Sequence, residues 1–204
     1  MFFKEKRKAA ILRVLAGVLG VFLVAIGGTF APGLSSIMLP TEMALAANPA
    51  PDSTCQAVLD ATERLFTTPF HMYSTTTNAG VENGKPISSE MVFAGGARYV
   101  LYNGKWNPSP LSTEEMKALE QRNLKNTTNM SCHVMRDDSV NGESATLYSM
   151  HSETPRSKND DQIWISKSKG LILRQETDLY SNRGNGKTHL SVRYEYSNVQ
   201  APRL

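Results

Sequence analysis

The clearest pattern in the chain lies near its C-terminus. From residue 190 to 197 apolar and polar side chains alternate, with Leu190, Val192, Tyr194 and Tyr196 on one side and Ser191, Arg193, Glu195 and Ser197 on the other. A period of two is a strand with one dry face and one wet face. Seven further stretches, rich in β-branched or aromatic residues, read as strands: 71–77, 89–93, 97–102, 132–136, 144–152, 162–166 and 171–178. Asn83-Gly84, Gly95-Gly96, Asn103-Gly104, Asn141-Gly142, Lys169-Gly170 and Gly184-Asn185-Gly186 separate them, as hairpin turns needing positive φ require.

Two segments follow the helical period instead. Val58, Leu59, Thr62, Leu65 and Phe66 recur at helical spacing before Pro69, and Cys55 lies on the same stripe, with Ser53 and Gln56 spaced as a capping box. The second helix, from Thr113 to about Leu124, has Ser112 and Glu115 as its capping box and a thin apolar face of Met116, Leu119 and Leu124. Such a helix belongs over a sheet edge or mouth. Together the elements predict a mainly β (α+β) domain, an antiparallel sheet of about eight strands covered by two helices.

Residues 1–46 belong to a different polymer. A basic stretch to Arg13, fifteen residues without a polar side chain from Val14 to Gly28, and Ala44-Leu45-Ala46 are the three parts of a secretory signal. The apolar run is shorter than the ~20 residues that span a bilayer. The expectation is a signal peptide over 1–46 cleaved after Ala46, a Pro-rich linker over 47–52, and one domain over 53–204 in a bacterial periplasm. The long stretch from Thr29 to Met43 keeps an uncleaved anchor as the alternative.

Charge follows the same division. The net charge is +3, but five of the 22 bases and two of the 19 acids lie in residues 1–46, leaving 17 of each in the remainder. A formally neutral domain with interspersed charges argues against nucleic-acid binding. Export makes Cys55 and Cys132, the only two cysteines, an expected disulfide.

Candidate chemistry is sparse. His71, His133, His151 and His189 stand singly, without the spacing of a metal site, and no GxSxG elbow is present. Asp137-Asp138 and Asp160-Asp161 read as loop charges flanking strands, and adjacent strand residues would point to opposite faces. No catalytic residue, metal or cofactor is assigned. The aromatic set of Tyr99, Tyr102, Trp106, Tyr148, Trp164, Tyr194 and Tyr196 is large for a one-layer sheet to bury, so part of the inner face is expected to line an apolar cavity.

Ile163-Trp164-Ile165-Ser166-Lys167 followed by Gly170-Leu171-Ile172-Leu173-Arg174-Gln175-Glu176, the terminal Tyr194-Glu195-Tyr196-Ser197-Asn198-Val199 with Pro202, and Val140-Asn141-Gly142-Glu143 resemble the LolA-like superfamily of periplasmic lipoprotein carriers and lipoprotein-sorting proteins. The resemblance covers roughly residues 84–202. It implies a curved antiparallel half-barrel whose hydrophobic concave face, lidded by helices, holds acyl chains. On that basis the expected function is non-enzymatic binding of an apolar ligand, such as a lipid or lipoprotein acyl chain. Phe93, Tyr99, Leu101, Val134, Leu147, Trp164, Leu173 and Val192 are the expected lining, chosen for alternation and size. The alternative is a structural or sensory domain of the same fold with a filled interior and an envelope protein as partner. Interior volume separates the two, since an open groove of several hundred Å³ favours a ligand.

Overall fold

The computed structural model describes residues 53–78, 85–181 and 186–204. The expected signal and linker, and the turns at Asn83-Gly84 and Gly184-Asn185, lie outside the described residues. The elements in chain order are α1 (Ser53–Arg64), β1 (Phe70–Asn78), β2 (Ile87–Ala94), β3 (Ala97–Tyr102), β4 (Lys105–Pro108), α2 (Thr113–Asn126), β5 (Asn129–Val140), β6 (Glu143–Thr154), β7 (Ser157–Ser166), β8 (Ile172–Ser181) and β9 (Lys187–Glu195). Nine strands form one curved, unclosed antiparallel sheet in the order β4-β3-β2-β1-β9-β8-β7-β6-β5. The mainly β architecture with two helices is as expected from the alternation.

Several expectations need correction. Among the described residues the sheet has nine strands against the eight segments expected, the additional one being Lys105–Pro108, which pairs with β3 although it is short and ends in proline. It lies at the sheet edge, where a missing N–H breaks no ladder. The start of α1 differs from the expected placing of Ser53 ahead of the helix. The helix already includes Ser53, and Gln56 Nε2 reaches forward to Asp60 Oδ1 at 2.6 Å. The capping box of α2 is complete, with Ser112 Oγ accepting from Glu115 N–H at 3.1 Å and Glu115 Oε2 accepting from Ser112 N–H at 2.8 Å. The aspartate pairs sit inside β5 and β7 rather than in loops.

Both helices cover one face of the sheet. The core on that face joins Cys55, Val58, Ala61 and Leu65 of the α1 region to Phe70, Met72, Met91, Phe93, Ile163, Ile172, Val192 and Tyr194. β9 obeys its alternation, with Leu190, Val192 and Tyr194 buried. The Cys55–Cys132 disulfide ties the first turn of α1 to edge strand β5. Where α1 ends, Arg64 donates through Nη1 to the Lys169 carbonyl at 2.9 Å, so the β7–β8 turn holds its other end.

Arg98 is the one fully buried base among the described residues, 3% exposed on the helix-covered face of β3. Its Nη2 donates to the Leu65 carbonyl at 2.9 Å, and its guanidinium lies 4.8 to 5.5 Å from the rings of Phe93, Phe66 and Phe70. Burial pushes it down to about 10.

Candidate functional site

A cavity of about 530 Å³ opens between α1, the C-terminal half of α2 and the covered face of β5–β9. Its walls follow from strand register. Along β6 the covered side chains are Thr154, Ser152, Met150 and Tyr148, and opposite them on β7 are Ser157, Asn159, Asp161 and Ile163. Both series run from polar at the β6–β7 turn to apolar deeper in the sheet. Ile163, Ile172, Leu65, Val58 and Tyr194 form the apolar end; Ser152, Thr154, Arg156 and Asn159 form the polar end. From α2, Glu120, Asn123 and Leu124 face the cavity. The thin helix is therefore a roof, as its sparse apolar face suggested.

Polar groups here fall into two classes. Asp161 is 5% exposed and is held by Thr177 Oγ1 and by Gln175 Nε2 at 3.0 Å. Burial raises its pKa, against those two donors. Burial likewise pushes Glu120 up to about 7. Asn123 Nδ2 and Asn159 Oδ1, by contrast, are sealed from solvent without a hydrogen-bond partner. Leaving such an atom unpaired costs about 1–3 kcal/mol.

None of the eight residues expected to line the site borders this cavity. Phe93 and Val192 share its face but are packed into the adjoining core, 4% and 1% exposed. Val134 is on that face at the β5 edge and 58% exposed. The other five are on the opposite face. Tyr99 and Leu101 are half-buried there, since Val100 between them points to the core. Leu147, Trp164 and Leu173 make a separate outer cluster with Ala145. Trp164 is fixed in it by donating to Asp138 Oδ2 at 3.0 Å and by Arg174 stacking 4.9 Å above its ring.

The cause is parity. Tyr99 to Tyr102 and Leu171 to Leu173 are continuous apolar runs, which do not reveal which members face inward. Register breaks at Val134/Arg136 and at Trp164/Ile165 shift the count further. Several residues that do line the cavity come from a stretch, 151–161, whose one apolar side chain is that of Pro155. Within it the sequence marks only His151 and the Asp160-Asp161 pair, and the opposed faces expected of the pair hold. Asp161 looks into the cavity side, while Asp160 meets His151 on the outer face.

The histidines gather with carboxylates outside the cavity. His151 lies 2.7 Å from Asp160 and 3.1 Å from Glu153, and His189 lies 2.8 Å from Asp178 and 3.1 Å from Glu176. Asp160 and Asp178 pair across β7 and β8, so the four side chains form one row across the sheet. His71 meets Glu90 at 3.0 Å, and His133 is exposed on β5. Among the described residues no cluster of three or more His, Cys, Asp or Glu is placed to hold a metal ion.

No protein-family model and no curated protein matches the chain. Solved structures are similar to it in arrangement. Lipoprotein LppX from Mycobacterium tuberculosis is 13% identical, covers 73% of this chain and 96% of its own, and gives a TM-score of 0.39. LprF from Mycobacterium bovis is 9% identical over 74% of this chain and 96% of that one, at 0.42. A LolA superfamily protein from Nitrosomonas europaea is 9% identical over 75% and 96%, at 0.21.

Proposed function

We propose that this chain is an exported, non-enzymatic binding protein of the bacterial periplasm that holds an apolar ligand, such as the acyl chain of a lipid or lipoprotein, between its sheet and its two helices. Residues 1–46 act as the signal, 47–52 as linker and 53–204 as the binding domain. The cavity of about 530 Å³ carries this reading. It falls within the ~300–1,000 Å³ of small-molecule sites, whereas a purely structural domain of this size packs its interior densely. Even half-burying a sixteen-carbon chain at about 0.8 kcal/mol per methylene contributes roughly 6 kcal/mol before ordering costs.

The ligand enters under the roof helix α2 and is released by the same route, an equilibrium that needs no cofactor. Native mass spectrometry of gently purified protein is expected to show a co-purifying lipid mass, and a fluorescent acyl probe is expected to bind at one site. A ligand-free protein that also ignores the probe would overturn the reading. The same spectrum reports the mature N-terminus; a terminus at Met1 in the membrane fraction would overturn cleavage.

A further inference from the structure

Glu120 is a half-buried carboxyl on the roof of the cavity. Among the described residues no hydrogen-bond donor or cation is placed against it, and burial alone accounts for its raised pKa. Its charge reaches across the space. The hydroxyl of Tyr194 on β9, which lines the opposite wall, is raised first by its own burial and further by Glu120, with Arg98 acting in the other direction. The carboxyl therefore faces the sheet side of the space that α2 roofs.

The cations of the neighbouring elements are committed elsewhere. Lys117, one turn earlier on α2, pairs with Glu63 of α1. Arg98 of β3 donates to the Leu65 carbonyl at 2.9 Å and is surrounded by three phenyl rings. Arg156 borders the cavity only from the exposed β6–β7 turn. On β7 stands a second carboxyl, Asp161, buried and held by Thr177 and Gln175. From β5 and β8 the lining is Met130, Ile172 and Gln175, which carry no charge. An apolar ligand with a carboxylate end would meet like charge in a poorly solvated space, and one with a neutral end would leave Glu120 unpaired. A ligand with an ammonium end supplies the missing counter-charge.

We propose that the cavity selects an apolar ligand bearing an ammonium group, an alkylamine in chemical class, with Glu120 as its counter-ion and Val58, Leu65, Ile163 and Ile172 against its hydrocarbon chain. This rests on the apolar-ligand reading above and adds the class of headgroup to it. Binding the cation displaces the proton that Glu120 otherwise keeps up to about 7, so affinity for it rises with pH through that value. The preference is local to the cavity wall, because residues 47–204 carry 17 bases and 17 acids.

Calorimetric titration with decylamine, decanol and decanoate, each below its aggregation limit, tests it. An ordinary alkylamine titrates near about 10, so decylamine is a cation at pH 5.5 and at pH 8 and its pH dependence reports on the protein. At pH 8 decylamine is expected to bind about tenfold more tightly than decanol, equivalent to about 1.4 kcal/mol, and decanoate most weakly of the three. At pH 5.5 the advantage over decanol is expected to fall to about threefold or less. Glu120→Gln keeps the size of the side chain and is expected to weaken decylamine about tenfold at pH 8 while leaving decanol within about twofold. Glu114→Gln deletes an exposed carboxylate from the first turn of the same helix and is expected to leave all three ligands within about twofold. Should Glu120→Gln not fold, the pH comparison on the parent protein decides alone. Equal binding of decylamine and decanol at pH 8, an advantage that does not change with pH, or a Glu120→Gln effect no larger than that of Glu114→Gln would overturn the ammonium assignment while leaving an apolar ligand in place. Failure of all three ligands to bind the parent protein would overturn the apolar-ligand reading together with it.

Discussion

Glu120 stands on the cavity side of α2, and burial pushes its carboxyl up to about 7 from the 4.5 of an exposed glutamate. Between those values the folded chain keeps a proton that the unfolded chain has released. Stability is therefore lost as pH rises through that window. Asp161 and Tyr194 line the same space and are buried, while Arg156 lines it from the exposed β6–β7 turn. Glu120→Gln removes the penalty: urea unfolding is expected to find the variant about 2 kcal/mol more stable than the parent at pH 8 and equal to it at pH 4. A variant less stable at pH 8 would contradict the burial argument. His151 has the same sign on the other face. Its pKa is raised by the hydrogen bond to Asp160 first and by Glu153 after it. The stability that it contributes is complete below 6.5 and is lost as pH rises through its higher folded value. Asp160→Asn is expected to lower the titration midpoint of His151 in NMR spectra; an unchanged midpoint would mean that the pair is not formed in solution. At this scale the sequence was least legible. Asn123, Asn159 and Glu120 are ordinary polar residues half-buried at the cavity, and partial burial of a polar residue leaves no mark in a hydrophobic pattern.

The elements were far more legible than the residues, because their signals are local. Strict alternation located β9 and its inward face, and a capping box placed the start of α2 at the observed residue. Legibility failed where apolar residues ran together, as at Tyr99 to Tyr102, or were all but missing, as from His151 to Asp161. That polar stretch is the end of β6, a Pro155-Arg156 turn and the first half of β7, and beyond the expected strand over 144–152 it carries no strand signal because a wet strand facing a polar cavity wall shows no alternation. The disulfide was legible from the expected export and the even number of cysteines. Its 77-residue separation implies about 4 kcal/mol of stabilisation on the chain-entropy model. The double variant Cys55→Ala/Cys132→Ala is expected to lose about that much in denaturant unfolding, with most of the loss seen as weaker docking of α1. A loss under about 1 kcal/mol would show that α1 docks without its tether. Gly170 tests the other end of α1. Its φ is +64°, and an added Cβ would lie 3.5 Å from the Arg64 guanidinium carbon, in ordinary contact. The cost of Gly170→Ala is thus conformational, about 1 kcal/mol, and the Arg64–Lys169 hydrogen bond should survive it.

At the scale of the whole molecule, the sheet assigns separate tasks to its two faces. The outer face carries the row of histidines and carboxylates and the Trp164 cluster, both satisfied within the domain. The covered face carries the core and, at one end, space that the two helices roof without filling. With 17 bases and 17 acids over residues 47–204 the chain has no strong field with which to gather a charged partner, so a ligand of the proposed kind would be recognised by shape and by a few polar contacts. Filling the space separates binding from folding. Met150 lies on the cavity wall midway between the polar and apolar ends, opposite Asp161 in register. Overpacking normally costs about 1–3 kcal/mol because a dense interior has no room for added atoms. Here the room is about 530 Å³. Met150→Trp is therefore expected to leave the melting temperature within a few degrees of the parent and to weaken acyl-probe binding at least about tenfold. A variant that melts normally and still binds the probe as tightly as the parent would place the ligand somewhere other than between the helices and the sheet.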